Sequence, residues 1–150
     1  MEYDPLLLRN QLCFPLYAAA REVVGRYTPL LSPLGLTYTQ YIAMMALWEH
    51  RRLNVKALGA LLRLDSGTLT PLLKKLEQRG YIRRERSRED ERSVDISLTP
   101  TGDALRQQAA AIPAQLRRCI PLSDAEMATL YQLLYQVLEA QPASGDVEIK

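Results

Sequence analysis

Two cysteines, one histidine and eight tyrosines carry most of the redox and ligand chemistry open to this chain of 150 residues. Cys13 and Cys119 stand far apart and His50 is the only histidine, a set with the wrong number and spacing for zinc. No metal or other cofactor is expected. In a reducing compartment a structural disulfide is disfavoured, and a lone cysteine on an apolar helix face is ordinarily an inert packing residue. Two features pull Cys13 away from that. Arg9 lies at i−4, where a helical guanidinium favours a thiolate. Tyrosines outnumber phenylalanine eight to one, and a phenol donates a hydrogen bond to a thiolate where a phenyl ring cannot. The helix dipole is expected to add nothing, because a helix opening at Asp4-Pro5 leaves Cys13 beyond its first turn.

A second set of residues speaks of phosphate and base edges. The chain carries only +2 overall, yet residues 50–92 hold 12 Lys and Arg against 6 Asp and Glu, and the remainder holds 7 against 11. One segment is therefore +6 and the rest −4, the asymmetry of a nucleic-acid binder. Arg83, Arg84, Arg86, Arg88 and Arg92 belong to this segment. So do Ser66, Thr68, Thr70 and Lys74, which share the polar side of an otherwise leucine-faced stretch. Short hydroxyls let a helix approach base edges closely and also bond phosphates at its N-terminus. Arg92, at the tip of a charged loop, suits a narrow electronegative minor groove, and Asp90 is placed to hold it. A solvated hairpin face and a solvated turn aspartate are the plain alternatives.

These residues require a helix-turn-helix followed by a hairpin. Val55–Leu62 is a short apolar-periodic helix, and Arg63-Leu64-Asp65-Ser66 a turn ending in two good N-caps. Leu69, Leu72, Leu73 and Leu76 then recur at i, i+3, i+4 and i+7, and Gly80 stops the second helix. Pro71 is best tolerated in a first turn, which leaves the start of that helix open between Asp65 and Thr68. Beyond it, Tyr81–Arg86 and Val94–Leu98 read as strands, the second alternating Val94, Ile96 and Leu98 with polar neighbours. This is a winged helix-turn-helix over residues 51–98.

Long apolar helices flank it, over about residues 5–50 and 99–140. Asp4-Pro5 is expected to open a helix running to about Leu31. It carries one stripe of Leu8, Leu12, Leu16, Ala19, Val23 and Leu30, and a second of Cys13, Tyr17, Ala20, Val24 and Tyr27. A helix apolar over so much of its circumference must be covered from more than one side. A further helix is expected from Tyr38 to about Glu49. Thr99-Pro100 starts another, disturbed or ended near Pro113. Ser123-Asp124-Ala125-Glu126 is a capping box for a last helix with Met127, Leu130, Leu134, Val137 and Leu138 on one side. Residues 141–150 read as a loose tail. The expected fold class is mainly α with a small β wing, in one 150-residue domain whose outer helices dimerise. A homodimer would offer two heads to half-sites about 34–36 Å apart on a palindromic duplex. The acidic N-terminus lacks the plan of a signal peptide. The longest apolar run, Tyr41–Trp48, is too short for a bilayer, so a cytoplasmic protein with no membrane partner is expected.

The chain resembles the MarR family of winged-helix repressors in Asp90-Glu91-Arg92 and in Leu98-Thr99-Pro100-Thr101-Gly102. It is most similar to the organic-hydroperoxide-resistance (OhrR) branch. Four segments carry that resemblance: Asn10–Tyr17, Gly35–Tyr41, Leu64–Leu73 and Arg86–Arg92. Similarity runs from about Leu6 to Glu139. It implies that Cys13 is the peroxide-reactive cysteine, that Tyr27 and Tyr38 hydrogen-bond it, and that Cys119 is the second cysteine of the two-cysteine type, which forms an intersubunit disulfide. Charge and position, rather than the resemblance, give the expected DNA contacts: Asp65, Ser66, Thr68, Thr70, Lys74, Arg84, Arg86, Asp90 and Arg92. The expected function is a dimeric repressor that leaves its operator when an organic hydroperoxide oxidises Cys13. Two alternatives stay open: a repressor answering to a small aromatic ligand, with structural cysteines, and a thiol peroxidase. A basic hairpin has no use in an enzyme, which argues against the peroxidase.

Overall fold

Leucine periodicity, local caps and three tight turns build the architecture, which the computed structural model describes over residues 4–88 and 90–139. A first unit, ending at Cys119, holds α1 (Cys13–Leu31), α2 (Tyr38–His50), β1 (Arg52–Asn54), α3 (Val55–Leu62), α4 (Ser66–Gln78), β2 (Ile82–Arg86), β3 (Val94–Leu98), α5 (Pro100–Ala109) and α6 (Ile112–Arg118). A second unit, from Ile120 onward, holds α7 (Asp124–Glu139). This is the expected mainly helical fold with a small wing. Among the described residues no helix is long and apolar enough to cross a membrane. Glu89 and the tail expected over 141–150 lie outside the described residues.

Side-chain caps set most helix starts. Thr37 opens α2 with a capping box, accepting from the Gln40 N–H while the Gln40 side chain accepts from the Thr37 N–H. Asn54 caps α3, Asp65 caps α4 and Thr99 caps α5. Ser123 and Glu126 form the expected box before α7. Helix ends are equally defined. Gly80 is left-handed (φ 74°), its N–H bonds the Glu77 carbonyl at 2.8 Å and the Tyr81 N–H bonds Leu76 at 3.1 Å, a Schellman motif. Gly35 closes the turn after α1 in the same way, and Arg63, at φ 53°, does so after α3.

The core fills from α2, α4 and the sheet. Met44, Leu47, Leu58, Leu69, Leu73, Leu76, Ile82 and Ile96 are all fully buried and Leu72 is buried too, so the four leucines read from α4 do face inward. The sheet has order β1-β3-β2 and is antiparallel throughout, with Arg86 opposite Val94 at the wing's far end and Leu53 opposite Ile96. The strand β1 has no counterpart in the sequence reading. Gly102 ties the wing root to the helices. Its N–H reaches the Thr99 hydroxyl, its carbonyl accepts from Trp48 Nε1 at 2.9 Å, and an added Cβ would stand 2.0 Å from the Tyr81 carbonyl oxygen. Only glycine fits there.

The N-terminus departs from expectation. Asp4-Pro5 does not open the long helix. Leu8–Asn10 is one 3-10 turn, Gln11 is extended, and α1 begins at Cys13. The Asp4 carboxylate accepts from the Leu6 N–H at 2.9 Å, making a local turn in place of an N-cap. The helix beyond Thr99 does end close to Pro113, as expected: α5 stops at Ala109 and α6 restarts at Ile112, because Pro113 lacks the N–H that would bond Ala109.

Candidate DNA-reading head and cysteine sensor

The reading head presents one polar face. Asp65 accepts from the Thr68 N–H at 2.8 Å and from its hydroxyl at 3.4 Å, and those bonds hold its carboxyl below the usual carboxylate range. The cap places the start of α4 at Ser66, so Pro71 is its sixth residue, in the second turn. The helix therefore forgoes the bond from position 71 to the Gly67 carbonyl. Ser66, Thr68, Thr70 and Lys74 are all exposed on the side away from the buried leucines. A cavity of about 570 Å³ runs between α3, α4 and the wing, with Thr70, Leu73, Arg84, Arg92 and Val94 among its walls.

The wing arginines differ in freedom. Arg84 is half-buried. Its Nε donates to Glu77 Oε2 at 2.8 Å, its Nη2 lies 2.7 Å from that oxygen, and its backbone N–H reaches Oε1 at 3.0 Å. This contact holds the Glu77 carboxyl below its ordinary range and straps β2 to α4. Arg84 is thus a strut as well as a cation near the DNA face. Arg86 and Arg92 are exposed. Asp90 does position Arg92, though not through the guanidinium: its carboxylate accepts from the Arg92 backbone N–H at 3.0 Å, and its carbonyl from the Ser93 N–H at 2.8 Å. The aspartate shapes the turn and leaves the arginine side chain at the tip. The sequence reading left out Thr39 and Lys75, which line a second hollow of about 250 Å³ with Thr37 and Thr68 where the start of α2 meets α4. Only tertiary packing brings those two helix starts together.

The sensor residues fall into separate places. Cys13 is exposed and is the first residue of α1, which corrects the expectation that it lay deep in its helix. No side chain caps this end. The extended Gln11 also breaks the helical i−4 relation with Arg9. Tyr27 and Tyr38 do meet. Their ring centroids are 4.9 Å apart, and Tyr41 stacks 5.7 Å from Tyr27. Burial, then the neighbouring Tyr38 and Tyr41, push the Tyr27 hydroxyl up to about 12; burial raises Tyr38 as well. Both phenols are proton donors at any physiological pH. Cys13 and Tyr27 share one helix 14 residues apart, roughly 21 Å at 1.5 Å per residue. Within one chain they cannot touch. Cys119 is exposed at the end of α6, where its Sγ lies 3.6 Å from the Gln115 carbonyl.

Comparison with known proteins gives the head its role. The family described as "Transcriptional regulator SarA/Rot" matches residues 26–108. The organic hydroperoxide resistance transcriptional regulator of Bacillus subtilis is 50% identical over 138 residues, 92% of this chain and 94% of that protein. The overoxidized AbfR bound to DNA, a protein of Staphylococcus epidermidis, is 39% identical with a TM-score of 0.71, covering 87% of this chain and 92% of that one. A disulfide-formed AbfR structure matches at 37% and 0.64, over 88% and 93%. A mutant MarR from E. coli matches at 26% and 0.68, over 92% and 99%. These relatives are regulators, not enzymes, and the thiol peroxidase alternative falls with them. The chain belongs to the MarR family of winged-helix transcriptional regulators and, within it, to the branch of DNA-binding repressors that sense oxidation at a cysteine and include the organic hydroperoxide resistance regulator.

Proposed function

We propose that the chain acts in the cytoplasm as a homodimer that holds a palindromic operator and lets it go when an organic hydroperoxide oxidises Cys13. The observation that carries this is the placement of Cys13 and Tyr27 on one continuous helix, roughly 21 Å apart. A tyrosine pair held as proton donors is useful to the thiol only if it comes from another chain. A two-fold interface pairs a surface with itself; with its axis across the two first helices, centred near Ala20, they run antiparallel and Tyr27 comes level with the partner's Cys13. The exposed apolar residues Phe14, Leu16, Tyr17 and Val24 on α1 supply the surface such a pairing would bury.

The chemistry follows from the thiol. The Cys13 sulfur attacks the distal peroxide oxygen, the O–O bond breaks, and the alkoxide leaves as an alcohol after taking a proton. Cys13 becomes a sulfenic acid. The Cys119 thiol of the partner then displaces water from that sulfur to form an intersubunit disulfide, and AbfR is a relative seen with a disulfide formed. On DNA, Ser66, Thr68 and Thr70 approach base edges or phosphates from the start of α4, whose turn Asp65 holds. Lys74 and Arg86 meet phosphate, Arg92 enters the minor groove with Asp90 shaping its turn, and Arg84 braces the wing.

A gel shift on the gene's own upstream region, with and without cumene hydroperoxide, tests the reading. Release by peroxide at stoichiometric concentration is expected, and retention of the operator would overturn it. A second reading has one observation in its favour. The cavity beside Thr70, Arg84 and Arg92 suits a small aromatic carboxylate. Release by salicylate-like acids, unchanged in Cys13→Ser, would favour that reading over oxidation.

A further inference from the structure

We propose that Arg26 is a latch on the second thiol, holding Cys119 against its own α1 until the disulfide step pulls it away. The inference rests on the reading of Cys119 as the partner of the Cys13 sulfenate. Arg26 Nη1 donates to the Cys119 backbone carbonyl, and Arg26 is itself steadied by Glu22 at 3.2 Å, one turn earlier on α1. That carbonyl is one of the last of α6, which the helix itself cannot satisfy. With seven residues, α6 is far shorter than a helix that stands unaided in water, so its end depends on such outside bonds. The first compact unit also ends at this residue.

Geometry shows why a latch is needed and why it must open. Arg26 lies 13 residues beyond Cys13 on α1. At about 100° and 1.5 Å per residue that is roughly 20 Å along the axis and about 140° around it. A disulfide within one chain is excluded by the axial distance. The antiparallel pairing brings Arg26, and the Cys119 it holds, level with the partner's Cys13. The angular offset puts Arg26, and the end of α6 it holds, on a different flank of α1 from the one that carries Cys13. The end of α6 must leave α1 for the bond to form, and the Arg26 guanidinium opposes that departure. Before oxidation the latch holds the Cys119 backbone against α1 and leaves the thiol itself exposed. After oxidation it sets how long the sulfenate persists before it is captured with loss of water.

Two measurements test this on the full-length protein. Stopped-flow oxidation with cumene hydroperoxide should show Cys13 sulfenate forming at the wild-type rate in Arg26→Ala, while the following disulfide step runs several-fold faster and Arg26→Lys falls between. Equal or slower disulfide formation in Arg26→Ala would overturn the latch. In a Cys13→Ser background, where no disulfide is possible, amide hydrogen exchange over Leu116–Cys119 should quicken several-fold on Arg26→Ala while α2 and α4 stay protected. Unchanged exchange would overturn it independently. A wild type that forms sulfenate but no intersubunit disulfide would refute the role of Cys119 and leave the exchange result to judge the latch alone.

Discussion

The reading head and the first helix are made of similar residues and finish in opposite states. In α4, thirteen residues long, every leucine reaches the interior, and Leu69, Leu73 and Leu76 are at most 1% exposed. In α1, nineteen residues long and just as apolar, Leu31 alone is buried, while Leu16 and Tyr17 remain 43% and 59% exposed. The helix α7, taken by itself, likewise buries none of its side chains. The head finishes its core within one chain. The first helix does not, and its Cys13 lies 14 residues along it from Tyr27. Such a division suits a switch: a rigid reader is carried on surfaces whose packing depends on a second copy, so a covalent change at that seam can move two intact heads.

The sharpest way to break this comparison is at Cys13. Cys13→Ser should bind operator like wild type and show no release at any peroxide concentration that releases wild type, as followed by gel shift. If the head needed the thiol for its own integrity, reduced-state affinity would fall too. Next in size is the difference in core completeness. Leu73→Ala should cost about 2–5 kcal/mol of stability by chemical denaturation. Val24→Lys, on the exposed face of α1, should leave the fold of the head intact and shift the protein toward monomer in light scattering. A monomeric Val24→Lys protein with an unfolded head would show that the head is not self-sufficient.

The wing and α4 test the head's own surface. Arg92→Ala should weaken operator binding by about 1–3 kcal/mol, the cost of a groove-reading arginine. Lys74→Ala should weaken all sequences alike and lower the slope of affinity against salt by about one. Arg84→Ala should act differently from Arg92→Ala. It frees Glu77 and loosens the strap between β2 and α4, so thermal stability should fall along with affinity. Arg84→Ala with full stability and reduced affinity would return Arg84 to a purely phosphate-binding role.

Much of this was legible from residue types alone. The bounds of α3, the wing strand β3, the capping box before α7 and the leucine face of α4 all follow from local periodicity and caps, which act over three or four residues. The start of α1 did not. Asp4-Pro5 has the chemistry of a helix opening, yet the Asp4 side chain serves a local turn and Gln11 goes extended. Nothing in the pattern before Cys13 marks that break. The strand β1 is three residues long and exists only because β3 pairs with it. Arg84 and Asp90 were read as DNA residues from charge and position, but charge does not reveal that Glu77 straps one or that the other spends its carboxylate on backbone. The meeting of Arg26 with Cys119 spans 93 positions and has no local signal.

The smallest effect concerns the tyrosines, and it separates their structural part from their chemical one. Tyr27 packs within its own chain against Tyr38 and Tyr41, so Tyr27→Phe keeps the rings and removes one hydroxyl. At neutral pH the substitution should leave stability and operator affinity nearly unchanged while slowing Cys13 oxidation several-fold. Alkaline pH supplies the control. Burial holds the Tyr27 hydroxyl protonated up to about 12 in the folded chain, whereas an unfolded tyrosine ionises near 10. The stabilisation is therefore fully present below pH 10 and is lost as pH rises toward 12. Thermal melts from pH 9 to 11.5 should show a declining Tm in wild type and a shallower decline in Tyr27→Phe, which has no proton to lose there. If both proteins declined alike, the Tyr27 hydroxyl would be solvated in the folded chain. It would then be a poor candidate for a hydrogen bond reserved for the partner's sulfur.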